Sequence, residues 1–398
     1  MKNVLIRGPL LSLSGYGFHC RQVFSWLLSR EDINIRCQVL PWGTTTWMLN
    51  RDLEDGLIGE ILDRVIPENQ VSKEKFDESY QVQLPNEWIK ISKNDVGITA
   101  GVETTKCNLD WLRHINRMDK VIVPSRFTKK VFVDTSKSCD IKLETEIYVI
   151  PEYFHEALEK ESKNENINEL LDGITQDINF LIVSQFTGAD ARTDRKNLLL
   201  TLKSTLEILS RKPNKTYSIV LKTNLGRSTT VDFYNVKKIF KNFIDSLSYN
   251  KEKIKVHILH GDLESADLKT LYTHPNIHCY LTCTRGEGYG LPLLEASSQG
   301  LPVIATNWSG HLDFLKEIDF IPIDYRLETI PAERVDSKIF VKDSKWANFV
   351  PESLSESLNK FIKKKNKYSK QAKEDSKVIR EKFCKKSILK QYDEILLG

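Results

Sequence analysis

The stretch Cys279-Tyr-Leu-Thr-Cys-Thr-Arg-Gly-Glu-Gly-Tyr-Gly-Leu-Pro-Leu-Leu-Glu-Ala-Ser-Ser-Gln-Gly-Leu-Pro-Val-Ile-Ala-Thr gathers residues that can do chemistry. It reads as strand, glycine loop, short helix, turn and strand. Pro292 suits the first turn of a helix, where its missing amide hydrogen costs nothing, and Gly300 suits the left-handed position just past the end. Gly288 and Gly290 have no side chains to keep a ligand from the backbone of Tyr289 and Leu291. The amides ahead of Pro292 can therefore point at an anion, favoured further by the helix dipole. A diphosphate is the natural guest. Glu295, expected in the first helical turn, can accept two hydrogen bonds from ribose hydroxyls. Glu287, ahead of the loop, is free to face another polyol. Two carboxylates flanking a phosphate loop match a nucleotide sugar. The plain alternative is a Rossmann-like turn in which Glu295 only caps its helix and Glu287 faces solvent.

The rest of the chain supplies elements that can position such a loop. A buried strand over residues 2–7 leads into a loop over 8–17, holding Gly15 and Gly17, and then a helix over 18–29. Short apolar runs follow at 33–40, 80–84, 96–100, 120–124 and 147–150, with helical patterns between several of them, which predicts a parallel sheet covered on both faces. A stretch rich in Glu, Lys and Asn over 156–177 reads as a connection with a short helix. Strands at 178–184, 218–222, 255–259, 277–284, 302–305 and 320–323 repeat the doubly wound pattern. Beyond Pro351 only helices are expected. The tail's Val378, Ile379, Phe383, Ile388, Leu389, Tyr392, Ile395 and Leu396 form an apolar stripe that needs a surface to cover.

At 398 residues, 40% hydrophobic and 28% charged, the chain has material for two packed cores. Its 58 basic and 54 acidic residues are too balanced for a nucleic-acid coat. Seven cysteines without a CxxC pair read as reduced thiols in a cytoplasmic protein, with Cys279 and Cys283 as small buried side chains of one strand face. No apolar run is long enough to span a bilayer, and the start is unlike a signal peptide.

Glu287 and Glu295 with seven residues between, followed by Ala296, Gly300, Pro302 and Val303, resemble the Glu-x7-Glu signature of retaining GT-B glycosyltransferases, closest to family 4. The resemblance implies an α/β protein of two Rossmann-like doubly wound domains facing a cleft, with a C-terminal helix crossing back. The expected division is an acceptor domain over 1–155, a linker over 156–177, a nucleotide-sugar domain over 178–365, and helices over 366–398 packing back towards the first domain. It assigns Glu287 to the donor sugar and Glu295 to the ribose. Val183-Ser-Gln-Phe-Thr and Arg192-Thr-Asp-Arg-Lys-Asn-Leu resemble the segment that supplies an arginine and a lysine for the donor diphosphate. Lys196 fits the lysine; Gln185 stands where the arginine is common, which leaves its duty to Arg192 or Arg195. Lys222 joins the donor set. Ser14-Gly-Tyr-Gly17 resembles the glycine loop of the N-terminal domain, with Tyr16 and His19 as neighbours. Thr306-Asn-Trp-Ser-Gly-His-Leu-Asp313 resembles a Gly-Gly-x-x-Glu stretch, with Asp313 near the acidic position or simply at a helix start. Where relatives carry a histidine near the sugar, this chain offers Glu103, which can take or orient an acceptor proton or else cap the next helix. Trp42, Trp47 and Trp111 are candidates for stacking on a sugar or for packing.

Fixed cations stabilise the charge that grows on a leaving nucleoside diphosphate, so Lys and Arg can stand in for a metal. No Asp-x-Asp motif is present, and no metal or other cofactor is expected. The resemblance implies retaining transfer by front-face attack, from a nucleotide sugar to a glycan or lipid-linked acceptor. Nucleic acid ranks lower as an acceptor. The competing readings are a DNA- or RNA-modifying transferase and a non-catalytic sugar- or nucleic-acid-binding protein on the same fold.

Overall fold

The computed structural model describes residues 1–160, 165–188, 190–263 and 265–398. The first half of the chain runs β1 (Lys2–Gly8), α1 (Gly15–Leu28), β2 (Ile33–Val39), α2 (Leu57–Leu62), α3 (Glu68–Val71), β3 (Phe76–Val82), β4 (Ser92–Ile98), α4 (Leu109–Ile115), β5 (Lys120–Val123), α5 (Arg126–Ser138) and β6 (Ile147–Val149). It continues α6 (Glu165–Asp172), β7 (Ile178–Val183), α7 (Leu198–Ser210), β8 (Tyr217–Thr223), α8 (Thr230–Ser246), β9 (Ile254–His260), α9 (Ser265–Thr273), β10 (Cys279–Thr282), α10 (Leu291–Ser298), β11 (Val303–Thr306), α11 (Leu312–Leu315) and β12 (Ile321–Ile323). A hairpin of β13 (Tyr325–Thr329) and β14 (Lys345–Phe349) precedes α12 (Pro351–Lys363), α13 (Lys365–Phe383) and α14 (Lys385–Leu396).

Two compact units result. One is Met1–Tyr153 with Asp336–Ser344 and Lys385–Gly398; the other is Phe154–Val335 with Lys345–Cys384. The first holds a parallel sheet in the order β2-β1-β3-β4-β5-β6, the second a parallel sheet in the order β12-β11-β10-β7-β8-β9. Runs such as Val4-Leu5-Ile6 and Phe180-Leu181-Ile182 are buried residue after residue, because helices cover both faces of each sheet. Chain order reverses between β1 and β3 and between β7 and β10. Crevices outside the carboxyl ends of such strands are where doubly wound sheets take ligands.

Several expected bounds shift. The helix expected at 18–29 starts at Gly15, because Ser14 is extended and its side chain accepts a hydrogen bond from the Gly17 amide at 3.0 Å, which makes it an N-cap. Gly15 and Gly17 thus stand in the first helical turn. Gly17 is fixed by packing, since a Cβ there would lie 2.0 Å from the Ser12 carbonyl oxygen, whereas one on Gly15 would meet nothing. In the connection expected over 156–177, Leu171 and Ile174 are buried in the second unit; residues 161–164 lie outside the described residues. The tail divides at Cys384: α13 lies in the second unit, where Gly300 abuts Lys373, and α14 lies in the first. There Tyr392 stacks on Trp26 with centroids 5.4 Å apart, and the Trp26 indole donates to Asp393 at 2.8 Å.

His19 is a core residue of the first unit, its Nδ1 3.9 Å from Glu152 Oε1 and its Nε2 3.4 Å from the Tyr392 hydroxyl. Burial pushes His19 down to about 4 and Glu152 up to about 8, so both are neutral near pH 6. Between the ordinary carboxylate range and pH 8 the folded state keeps a proton on Glu152 that the unfolded chain releases. Stability therefore falls as pH rises through that window. Glu152→Gln should remove this loss: in thermal melts the variant should match the parent near pH 5 and exceed it by roughly 5 °C at pH 8. Parallel pH profiles would show that Glu152 does not titrate in this way.

Candidate functional site

Two loops meet outside the switch point of the second unit, one between β7 and α7 and one between β10 and α10. The first is organised by the buried Asp194. Its Oδ1 accepts from the Thr187 amide (3.1 Å), the Thr187 hydroxyl (2.7 Å) and the Lys196 amide (3.2 Å), and its Oδ2 from the Leu198 amide (2.7 Å). Asn197 caps α7 in the left-handed region, φ +56°, a conformation Asn tolerates, while its side chain donates to the Cys283 carbonyl at 3.0 Å and ties this loop to the next.

The second loop rests on the segment after β11. The Glu287 amide donates to Ser309 Oγ at 2.9 Å, and the Gly310 amide donates to the Glu287 carbonyl at 2.9 Å. A Cβ on Gly310 would lie 2.0 Å from the Gly288 carbonyl oxygen, so only glycine permits this approach. His311, fully buried, donates from Nε2 to the Thr306 carbonyl at 2.7 Å. Gly290 caps α10 at φ +104°, with Pro292 as the second helical residue, and Gly300 follows the helix at φ +73°.

These supports bring Lys196, Arg195 and Glu287 together. Lys196 Nζ donates to both oxygens of Glu287, at 2.7 and 2.5 Å. Arg195 Nη1 lies 3.9 Å from Glu287 Oε2 and donates to the Gly286 carbonyl at 3.2 Å. Burial alone would raise the Glu287 carboxyl, but Lys196 and Arg195 outweigh it and hold the group below the usual carboxylate range. Glu287 does not face solvent.

Glu295 stands apart in kind. Leu291 is the first helical residue, so Glu295 falls in the second turn, not the first as expected, and it does not cap the helix. It accepts from the Tyr272 hydroxyl at 2.9 Å; burial raises its carboxyl against the pull of Tyr272, His155 and Lys222. Burial lowers the Lys222 ammonium, opposed by Asp262 and Glu295. Lys222, near the end of β8, and Glu295, in the second turn of α10, therefore lie close enough for each charge to act on the other.

Not every expected residue joins. Arg192 is exposed and pairs with Glu333 at 3.4 Å and Asp190 at 3.7 Å, and Gln185 is exposed. Asp313 stands in the first turn of the short α11. A residue passed over, Arg285, is buried and organises the Lys196 loop. Its guanidinium donates to the carbonyls of Ala191 (3.1 Å), Asp194 (3.2 Å) and Arg192 and to Asn348 Oδ1 (2.8 Å), and lies 4.7 Å from the centre of the Trp346 ring. Burial pushes it down to about 10, against Asp194. Its place two residues before Glu287 was a signal, but its partners lie 91 to 94 residues earlier in the Lys196 loop and 63 residues later at Asn348.

The first unit gathers a second cluster at the ends of β1 and β4. Tyr16 stacks on Trp42 with centroids 4.1 Å apart; its hydroxyl meets Thr99 Oγ1 at 2.9 Å and accepts from the Ala100 amide at 3.1 Å. Burial and then the nearby Glu103 and Glu152 charges raise the Tyr16 phenol, which Thr99 and Ala100 oppose, so Glu103 belongs to this cluster. Glu103 does not cap α4, whose cap is Asn108. Trp111 packs edge-on against Phe132 in the core, and Trp47 is exposed. Among the described residues no group of three or more His, Cys, Asp and Glu is placed to hold a metal ion, and no helix is long and apolar enough to cross a membrane.

Two doubly wound units, with the charged loops of the second at its switch point, define the GT-B class of fold. Residues 238–320, which contain both Glu287 and Glu295, match the family model "Glycosyl transferases group 1". Among solved structures, the chain is similar to a glycosyltransferase from Rickettsia africae (14% identity, TM-score 0.63, 99% of this chain and 97% of that one). It is also similar to a UDP-forming α,α-trehalose-phosphate synthase from Burkholderia xenovorans (10%, 0.65, 98% and 98%) and to sucrose-phosphate synthase from Thermosynechococcus elongatus (11%, 0.61, 99% and 98%). At these identities the likeness is one of fold. No curated protein matches in sequence.

Proposed function

We propose that the protein is a retaining, metal-independent glycosyltransferase acting in the cytoplasm, which moves a sugar from a nucleotide-diphosphate donor to a hydroxyl of a glycan or lipid-linked saccharide. The observation that carries this reading is the Lys196–Glu287 pair, which joins the loop before α7 to the glycine loop before α10. In this reading Lys196 and Arg195 face the donor diphosphate with the α10 amides, and Glu287 orients Lys196 while accepting hydroxyls of the sugar. Glu295 accepts the ribose hydroxyls. Positive charge fixed in advance favours the transition state, in which the leaving diphosphate gains charge, over the ground state. The first unit receives the acceptor. In this reading the Tyr16–Trp42 pair borders the acceptor, and Glu103, whose charge acts on the Tyr16 phenol, orients the attacking hydroxyl. Front-face attack lets the donor phosphate take the acceptor proton, with no protein nucleophile.

Calorimetry with UDP-, GDP- and ADP-sugars tests the reading, together with slow donor hydrolysis. At least one donor should bind, and Glu295→Ala should weaken it about 10- to 100-fold, the worth of hydrogen bonds to a charged group. If no nucleotide sugar binds, the function is wrong. Binding unchanged in Glu295→Ala would remove the donor-site assignment.

A further inference from the structure

Away from these loops, the second unit carries an exposed face on which charge and aromatic surface are gathered. Within residues 237–255 six lysines, Lys237, Lys238, Lys241, Lys251, Lys253 and Lys255, stand against Asp245 and Glu252. The surplus of four positive charges equals the net charge of the whole chain, +4. Asp245 is itself taken up by Lys251 at 3.0 Å. Lys237, Lys238 and Lys241 are exposed, and no carboxylate among the described residues lies within ion-pair distance of them.

The same face of α8 presents apolar side chains. Val231, Tyr234, Lys238 and Lys241 are spaced three, four and three residues apart, so they share one stripe. Val231 is 70% exposed, Tyr234 63% and Phe233 38%, with Lys237 lying 5.8 Å from the centre of the Phe233 ring. Beside the stripe, α8 and the edge strand β9 border an open groove of about 390 Å³, floored by Ile244, Ile254 and Val256 and rimmed by lysines. A soluble partner of pure charge would have no use for the aromatic side chains. A helix with aromatics at one end and lysines along the same stripe matches a bilayer interface, where rings enter the headgroup layer and ammonium groups meet lipid phosphate.

We propose that the exposed stripe of α8, with the lysine-rimmed groove along β9, docks the protein on an anionic membrane surface. This docking is independent of the donor-site reading, because none of its residues belongs to the sugar-transfer machinery. The occupant is the bilayer, and the lysines supply most of the binding while Tyr234 and Val231 add an apolar contact that salt does not screen.

Flotation of the full chain with vesicles of phosphatidylcholine, with and without phosphatidylglycerol, tests it. The parent protein should float only with the anionic vesicles, and salt should release most but not all of it. Each lysine near such a surface contributes about fivefold, so Lys237→Glu/Lys241→Glu should weaken partitioning by at least about 25-fold. Tyr234→Ser should weaken the fraction that persists at high salt. Lys364→Glu/Lys367→Glu, on the tail, should float as the parent does, and circular dichroism should show all variants folded. The proposal is overturned if the parent does not float with anionic vesicles, if phosphatidylcholine alone serves as well, or if the tail variant loses as much. Retention on immobilised polyglutamate without vesicle binding would point instead to an acidic protein partner and overturn it equally.

Discussion

Lys196→Met is expected to lower kcat/KM for sugar transfer by about 10²- to 10³-fold, the usual cost of losing one pre-set charged donor at a developing anion. Steady-state kinetics with the donor found by calorimetry would measure it. The loss should fall on kcat more than on binding of the bare nucleoside, because in the proposed reaction the ammonium acts where charge grows. A second consequence follows from the Glu287 carboxylate, whose nearest remaining cation among the described residues would be Arg195 at 3.9 Å. A buried carboxylate that loses its nearest cation is pushed towards its neutral form and destabilises the fold. Lys196→Met/Glu287→Gln should therefore regain the melting temperature lost in Lys196→Met while regaining none of the activity. Recovery of transfer in the double variant would mean that Lys196 serves only to neutralise Glu287.

The doubly wound sheets were legible in the sequence because strands buried on both faces leave unbroken apolar runs, such as 178–183, with helical periodicity between them. Bounds were less legible where side chains disagree with the sheet. Strand β3 begins at Phe76, four residues before the run that marks it, since Asp77 and Glu78 at its exposed end bond the Asn3 amide and Lys2. The start of α1 was hidden because Gly15 and Gly17 are poor helix formers, and only the geometry of Ser14 shows a cap. The course of the tail could not be read from its stripe. An apolar face says that something must cover it, not which unit supplies the cover; α13 and α14 differ in that respect.

In the site, legibility followed distance along the chain. The glycine loop, Pro292 and Gly300 act on backbone within a few residues, so their spacing alone marked the turn and the helix that follows. What could not be read was pairing over long separations: Lys196 with Glu287, Glu295 with Tyr272, and Tyr16 with Trp42 and Thr99. Arg192 and Arg195 differ by such a pairing. One turn of loop separates them, and the Asp194 clamp aims the second at Glu287 while the first stays at the surface with Glu333.

Arg285→Lys should raise the donor KM by about 10- to 100-fold although Arg285 occupies no donor position, because four hydrogen bonds converge on its guanidinium and each bond to a charged group contributes about 1.5–3 kcal/mol. The planar fork reaches three carbonyls of the 191–194 turn and Asn348 at once while lying on the Trp346 ring. A lysine ammonium is a single point charge and cannot hold that set together. The turn it releases carries Arg195 and Lys196, so the defect should appear in diphosphate recognition and not in recognition of the nucleoside. Calorimetry separates the two: the variant should bind the nucleoside diphosphate more weakly than the parent but the nucleoside itself as well as the parent does. Trp346→Leu, which removes the stacking face and keeps the fork, should show the same split at smaller size. A variant that loses nucleoside and diphosphate affinity in equal proportion, together with a lowered melting temperature, would show that Arg285 merely supports the fold. Weakened diphosphate binding with the nucleoside unaffected would show instead that Arg285 acts through the turn that aims Lys196.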